Sequence, residues 1–94
     1  MAVTLKFVGA LRRDSGVETF ALTCKEGTSL LDLMNKLTKK LPKLRRNLLD
    51  EQVGQPKPNA LILVNGREIS VLNGLATTMK DGDEVVFIPV VHGG

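Results

Sequence analysis

The last eleven residues, Glu84 to Gly94, read EVVFIPVVHGG and constrain the chain more than any other stretch. Val85, Val86, Phe87 and Ile88 are consecutively apolar, so a strand made from them has no polar face to turn toward water and belongs in the middle of a sheet. Pro89 has no N–H and cannot continue a central ladder, so regular pairing is expected to cease near Ile88. Val90 to Gly94 then read as a short apolar tail, flexible and ending on a glycine carboxylate. The other residues must build a sheet around this strand and let its end leave freely.

The upstream pattern supplies such a sheet. Val3, Leu5 and Phe7 alternate with Thr4 and Lys6, the period of a half-buried strand. Leu11 to Gly16 is a polar connection, and Phe20, Leu22 and Cys24 alternate against Thr19, Ala21 and Thr23, which predicts an antiparallel hairpin. Thr28 or Ser29 caps a helix, with Asp32 three residues after Ser29 in the manner of a capping box. Leu30, Leu33, Met34, Leu37 and Leu41 form one apolar stripe, while Asp32, Asn35, Lys36, Lys39 and Lys40 face away. Acidic residues come early and lysines late, as the helix dipole favours.

Pro42 ends this helix or begins a shorter one carrying Leu44, Leu48 and Leu49. Gly54 to Asn59 is expected to be an irregular loop. Ala60 to Val64 predicts a buried strand, and Asn65-Gly66 a tight turn. Glu68 to Val71 is expected to form a brief edge strand, Asn73 to Met79 a loop or single helical turn, and Asp81-Gly82-Asp83 a turn into the last strand. A helical crossover after a hairpin lets a later strand join in parallel with the first. The expected fold is α+β, a mixed sheet with one main helix on one face, in the ubiquitin-like β-grasp arrangement. A single domain over residues 1–94 is expected, with its tail at about 90–94.

Composition narrows function mainly by exclusion. The lone Cys24 rules out an internal disulfide framework or a multi-thiolate metal site, and its place on an apolar strand face marks it as a buried structural thiol. One histidine, His92, cannot make a His-based dyad or metal cluster. Net charge is +3, with three Phe and no Tyr or Trp, so a nucleic-acid surface of basic residues interleaved with aromatics is not expected. The basic residues between Lys36 and Arg46 read as a solvated helical face. No apolar run approaches a membrane span and no signal-peptide pattern opens the chain, so a cytoplasmic location is expected.

The chemistry therefore rests on the end of the chain. A glycine carboxyl carbon is unhindered, and its backbone can thread a narrow channel. The carboxylate is inert as an acyl donor until an activating enzyme converts it to an acyl-adenylate or a thioester. The run from Lys80 to Gly94, KDGDEVVFIPVVHGG, resembles the ending of the MoaD/ThiS family of ubiquitin-like sulfur carriers, and the order of elements extends the resemblance over nearly the whole chain. Asn73 to Thr77 is similar to the cysteine-biosynthesis carriers, and His92 before the glycines is similar to the ubiquitin-related modifiers. The chain departs from the MoaD pattern at Val90, where a second proline is usual, and in a longer Pro42–Pro58 segment.

That resemblance implies that Gly94 is the site of covalent modification, as adenylate, thiocarboxylate or isopeptide. Pro89, Val90, Val91, His92 and Gly93 would form the tail that enters a partner. The implied partners are an E1-like adenylating enzyme and a sulfur-accepting enzyme or large synthase subunit, with protein lysines as targets if the chain is a modifier. No bound cofactor or metal is implied; ATP would be used by the activating enzyme. The isolated chain is not expected to be an enzyme, although it could complete a molybdopterin synthase-type complex as its small subunit. Three readings stay open: sulfur carrier, protein modifier, and noncatalytic interaction module.

Overall fold

The computed structural model describes residues 1–51 and 54–90. Strand β1 (Ala2–Phe7) leads into helix α1 (Ala10–Ser15), strand β2 (Thr19–Thr23) and helix α2 (Leu30–Lys40). A 3-10 turn over Pro42–Leu44 runs into helix α3 (Arg45–Leu48), then into the short strands β3 (Leu49–Asp50) and β4 (Lys57–Pro58). Strands β5 (Ala60–Val64), β6 (Arg67–Glu68) and β7 (Glu84–Pro89) complete the order. The main sheet has the order β2-β1-β7-β5-β6. β1 pairs with β2 in antiparallel and with β7 in parallel, and β5 pairs with both β7 and β6 in antiparallel. The last strand lies where its doubly apolar sequence places it, in the middle beside the first, and the whole is the expected β-grasp arrangement.

Helix α2 covers one face. Ser29 Oγ accepts from the Asp32 N–H at 3.1 Å, which satisfies one of the donors a helix start leaves unpaired. Leu30, Leu33, Met34 and Leu37 are completely buried, as the stripe requires, and Leu41 packs partly against the same core. Opposite them lie Val3, Leu5, Phe7, Ile62, Val85 and Phe87. Thr38 is buried too, with its hydroxyl donating back to the Met34 carbonyl at 2.9 Å, so no polar atom is stranded there. Cys24 is a buried free thiol.

Several expectations are corrected. The Leu11–Gly16 connection contains helix α1, whose Leu11 is buried in the core; a helix of two turns with one inward apolar residue shows no period. Within 54–59, Lys57–Pro58 pair with Leu49–Asp50 as a small second sheet. The Asn59 N–H donates to the Leu48 carbonyl at 2.8 Å and its side chain to the Arg46 carbonyl at 2.9 Å, tying that sheet to α3. Strand β5 is buried on one face only, since Leu61 is exposed and Leu63 half-buried. The edge strand expected over Glu68–Val71 is Arg67–Glu68, followed by a 3-10 turn at Ile69–Val71 that Glu68 caps by accepting from the Ser70 N–H. Hydrogen bonding from the Ser70 hydroxyl, and then from the Ser70 N–H, lowers the Glu68 carboxyl pKa from its ordinary value. Pairing of β7 runs one residue past Ile88, to Pro89 opposite Ala60.

Candidate functional site

The site begins where β7 leaves the sheet. Val85 and Phe87 turn inward and are completely buried, and Phe87 stacks on Phe7 of the parallel neighbour with centroids 5.6 Å apart and planes 13° from parallel. The ladder continues beyond β1, because the Val8 N–H donates to the Phe87 carbonyl at 3.1 Å. Pro89 is then held from two sides, by Ala60 across β5 and by Gly9 below it. Gly9 adopts φ 61 and ψ −132, and a Cβ there would stand 3.2 Å from Pro89 Cγ. Only glycine meets both demands. Sequence reasoning missed Gly9; its only signal was a glycine immediately after a strand.

Val86 and Ile88 point to the face opposite α2. By register, Ile88 lies level with Leu61 and Val86 with Leu63. Val8, Leu61 and Val90 are exposed at 44%, 38% and 47%, while Val86, Ile88 and Leu63 are half-buried. An apolar band therefore runs across the uncovered sheet face and ends where the chain departs at Val90. Single exposed valines need no explanation, but a contiguous band at a chain exit suits protein contact. Beside it, Lys6 pairs with Glu84 at 3.1 Å; both are half-exposed, so the pair adds little to stability.

Of the expected site residues, the structure places Pro89 and Val90 at this exit. Val91, His92, Gly93 and Gly94 lie outside the described residues. Among the described residues no group of three or more His, Cys, Asp and Glu is placed to hold a metal ion. Nor is any helix there long and apolar enough to cross a membrane.

Known proteins share both the sequence and the architecture. The profile of the ThiS family matches residues 5–94. Small archaeal modifier protein 3 of Haloferax volcanii is 31% identical over 94 residues, covering all of both chains. A protein of Archaeoglobus fulgidus named for sulfur carriage is 30% identical over 96 residues, again over both full lengths. The solution structure of small archaeal modifier protein 1 from Methanosarcina acetivorans superposes with a TM-score of 0.83 at 30% identity, over 99% of this chain and 96% of the other.

Proposed function

The chain belongs to the ThiS family, and on that premise we propose that it is a ubiquitin-like sulfur carrier whose Gly94 carboxylate is activated by an ATP-dependent, E1-like enzyme. One observation carries the reading: the central strand is anchored up to Pro89 and delivers the chain at Val90, beside an apolar band suited to a larger protein. A chain end used as a reagent has to start from such a fixed point, because orientation supplies much of the rate of a transfer step.

In the proposed chemistry, a Gly94 carboxylate oxygen attacks the α-phosphorus of ATP and pyrophosphate leaves, giving the acyl-adenylate. Hydrosulfide released by a sulfur donor then attacks the carbonyl. The C–S bond forms, the bond from the carbonyl carbon to the phosphate oxygen breaks with AMP as leaving group, and loss of the S–H proton leaves the Gly94 thiocarboxylate. ATP serves the activating enzyme and is not a resident cofactor of this chain. The thiocarboxylate in turn gives its sulfur to an accepting enzyme, or to a synthase of which this chain is the small subunit.

A second reading is favoured by the modifier names of the Haloferax and Methanosarcina relatives. Here a lysine amine of another protein attacks the carbonyl of the Gly94 adenylate, AMP leaves, the amine loses a proton and an isopeptide bond forms. Both readings share the adenylation step. ATP–pyrophosphate exchange with candidate activating enzymes from the source organism tests that step, and the expected result is exchange that vanishes when Gly94 is deleted. Exchange that persists without Gly94, or none with any candidate, would overturn both readings. Conjugates recovered from cells with Gly94 on lysine would establish the second.

A further inference from the structure

The main sheet ends on one side in β6, two residues long and charged, and on the other in β2, whose sequence is TFALT. The β2 edge is open, and the main chain shows where. The Phe7 N–H donates to the Glu18 carbonyl at 3.0 Å, and Met1 and Cys24 exchange bonds at 2.8 and 2.9 Å. With Leu5 opposite Phe20 and Val3 opposite Leu22, residues 18, 20, 22 and 24 turn their N–H and C=O toward β1. Thr19, Ala21 and Thr23 therefore turn theirs outward.

The chain closes both ends of this edge itself. Ser15 Oγ donates to the Val17 carbonyl at 2.6 Å and accepts the Val17 N–H at 3.2 Å, while Lys36 Nζ donates to the Thr23 carbonyl. Between these closures five main-chain groups have no partner among the described residues, two from Thr19, two from Ala21 and one from Thr23. The strand has good β-formers and none of the usual edge protection, neither charge nor proline. Thr19, Ala21 and Thr23 are exposed on the outer side, and Phe20 is only half-buried on the helix side.

The neighbouring helix face carries Asp32 in its first turn and then Lys36 and Lys40 at four-residue spacing, so it is basic over its later turns. The Leu30 N–H donates to the Thr77 carbonyl at 2.7 Å and the Gly82 N–H to the Ala2 carbonyl at 2.8 Å, so α2 starts near the Thr23 end of the edge. The α2 C-terminus lies toward α1 and the Thr19 end, because both helices pack on the 3-10 turn at Pro42–Leu44. Lys36 reaches Thr23, and the exposed Lys40 follows one helical turn further on the same face.

We propose that the β2 edge is a docking site for an extended segment of a partner protein, which adds a strand to the sheet with an apolar residue against Phe20 and acidic residues beside Lys36 and Lys40. Main-chain hydrogen bonds supply affinity, and the apolar and acidic positions select the sequence. The β2 strand itself has no acidic residue, and Glu18, which directly precedes it, is paired with Arg12 at 3.3 Å, which favours a foreign segment over a second copy. The β2 edge is separated from β7 by β1, and the proposal does not depend on the chemistry proposed for Gly94.

The test is an amide NMR titration of the isotope-labelled chain with a blocked peptide of alternating Val and Thr ending in an aspartate run. The expected result is saturable shifts confined to Thr19–Thr23 and the facing side of α2. N-methylating alternate peptide residues removes the donors that would pair with β2 and should abolish binding. The pair Lys36→Glu and Lys40→Glu should weaken it about tenfold or more. No saturable shift, shifts elsewhere, or equal binding of the N-methylated peptide would overturn the proposal. So would self-pairing of the chain along β2 that the peptide cannot displace, which would give the edge to a second copy.

Discussion

Replacing Gly9 by alanine probes the anchor of the central strand directly. Two costs meet at this position. Its φ of 61 with ψ −132 lies in a region that side chains other than glycine occupy only at about 1–3 kcal/mol. The new Cβ would also stand 3.2 Å from Pro89 Cγ and 3.7 Å from Cδ, so the proline at the end of β7 must shift. Together they should cost about 2–4 kcal/mol. For a chain of this size each kcal/mol lowers the midpoint by roughly 4–8 °C, so Gly9→Ala should melt at least about 8 °C below the parent. Gly27→Ala is the control, because Gly27 has φ 81 and nothing within 4 Å of its added Cβ. It should lose only about 1–2 kcal/mol from the left-handed backbone. Adding Pro89→Ala should recover part of the Gly9→Ala loss, since it removes the colliding Cγ, and thermal melts of the four-variant cycle read this coupling. Gly9→Ala melting no lower than Gly27→Ala, with no coupling to Pro89, would refute the idea that Pro89 is braced on Gly9.

Leu37, completely buried at the centre of the α2 stripe, should cost about 2–5 kcal/mol as Leu37→Ala, seen as a lower urea midpoint. Ser29→Ala removes the cap on Asp32 and should cost about 1 kcal/mol in the same assay. Leu61→Asp puts a charge into the exposed apolar band and should raise the KM for the chain in adenylation with its fold retained, whereas Val71→Asp, exposed at 73% outside that band, should change neither. Equal KM for Leu61→Asp and its parent would remove the sheet face from the activating contact.

The strands and the main helix were legible because their residues repeat. Val3, Leu5 and Phe7 keep a period of two and Leu30 to Leu37 a helical one, and both face the core as that pattern requires. The β7 run gave position as well as type, since a strand apolar on both faces suits the centre of a sheet. The elements that escaped are short. Leu11 is the one apolar residue of α1 turned fully into the core, and β3 with β4 has two residues each, too few for any period. In β5 the unbroken apolar run concealed an outer face, because Leu61 and Leu63 are apolar where a solvated strand would be polar. That same departure marks the apolar band. Pro89 was recognisable as the end of pairing, while its brace at Gly9 depends on a contact between residues 80 positions apart.

Intact-mass spectrometry of the chain, after incubation with its activating enzyme, ATP and a sulfur donor, decides whether Gly94 carries sulfur. A sulfur carrier should show one oxygen-to-sulfur exchange, located by fragmentation at Gly94. Deleting Gly94 or appending a residue should abolish it with the melting temperature unchanged, and Gly94→Ala should slow it, because a Cβ crowds the carbonyl. Adenylation without any thiocarboxylate, accompanied by Gly94 isopeptides on lysines of other proteins, would contradict the carrier account in favour of the modifier.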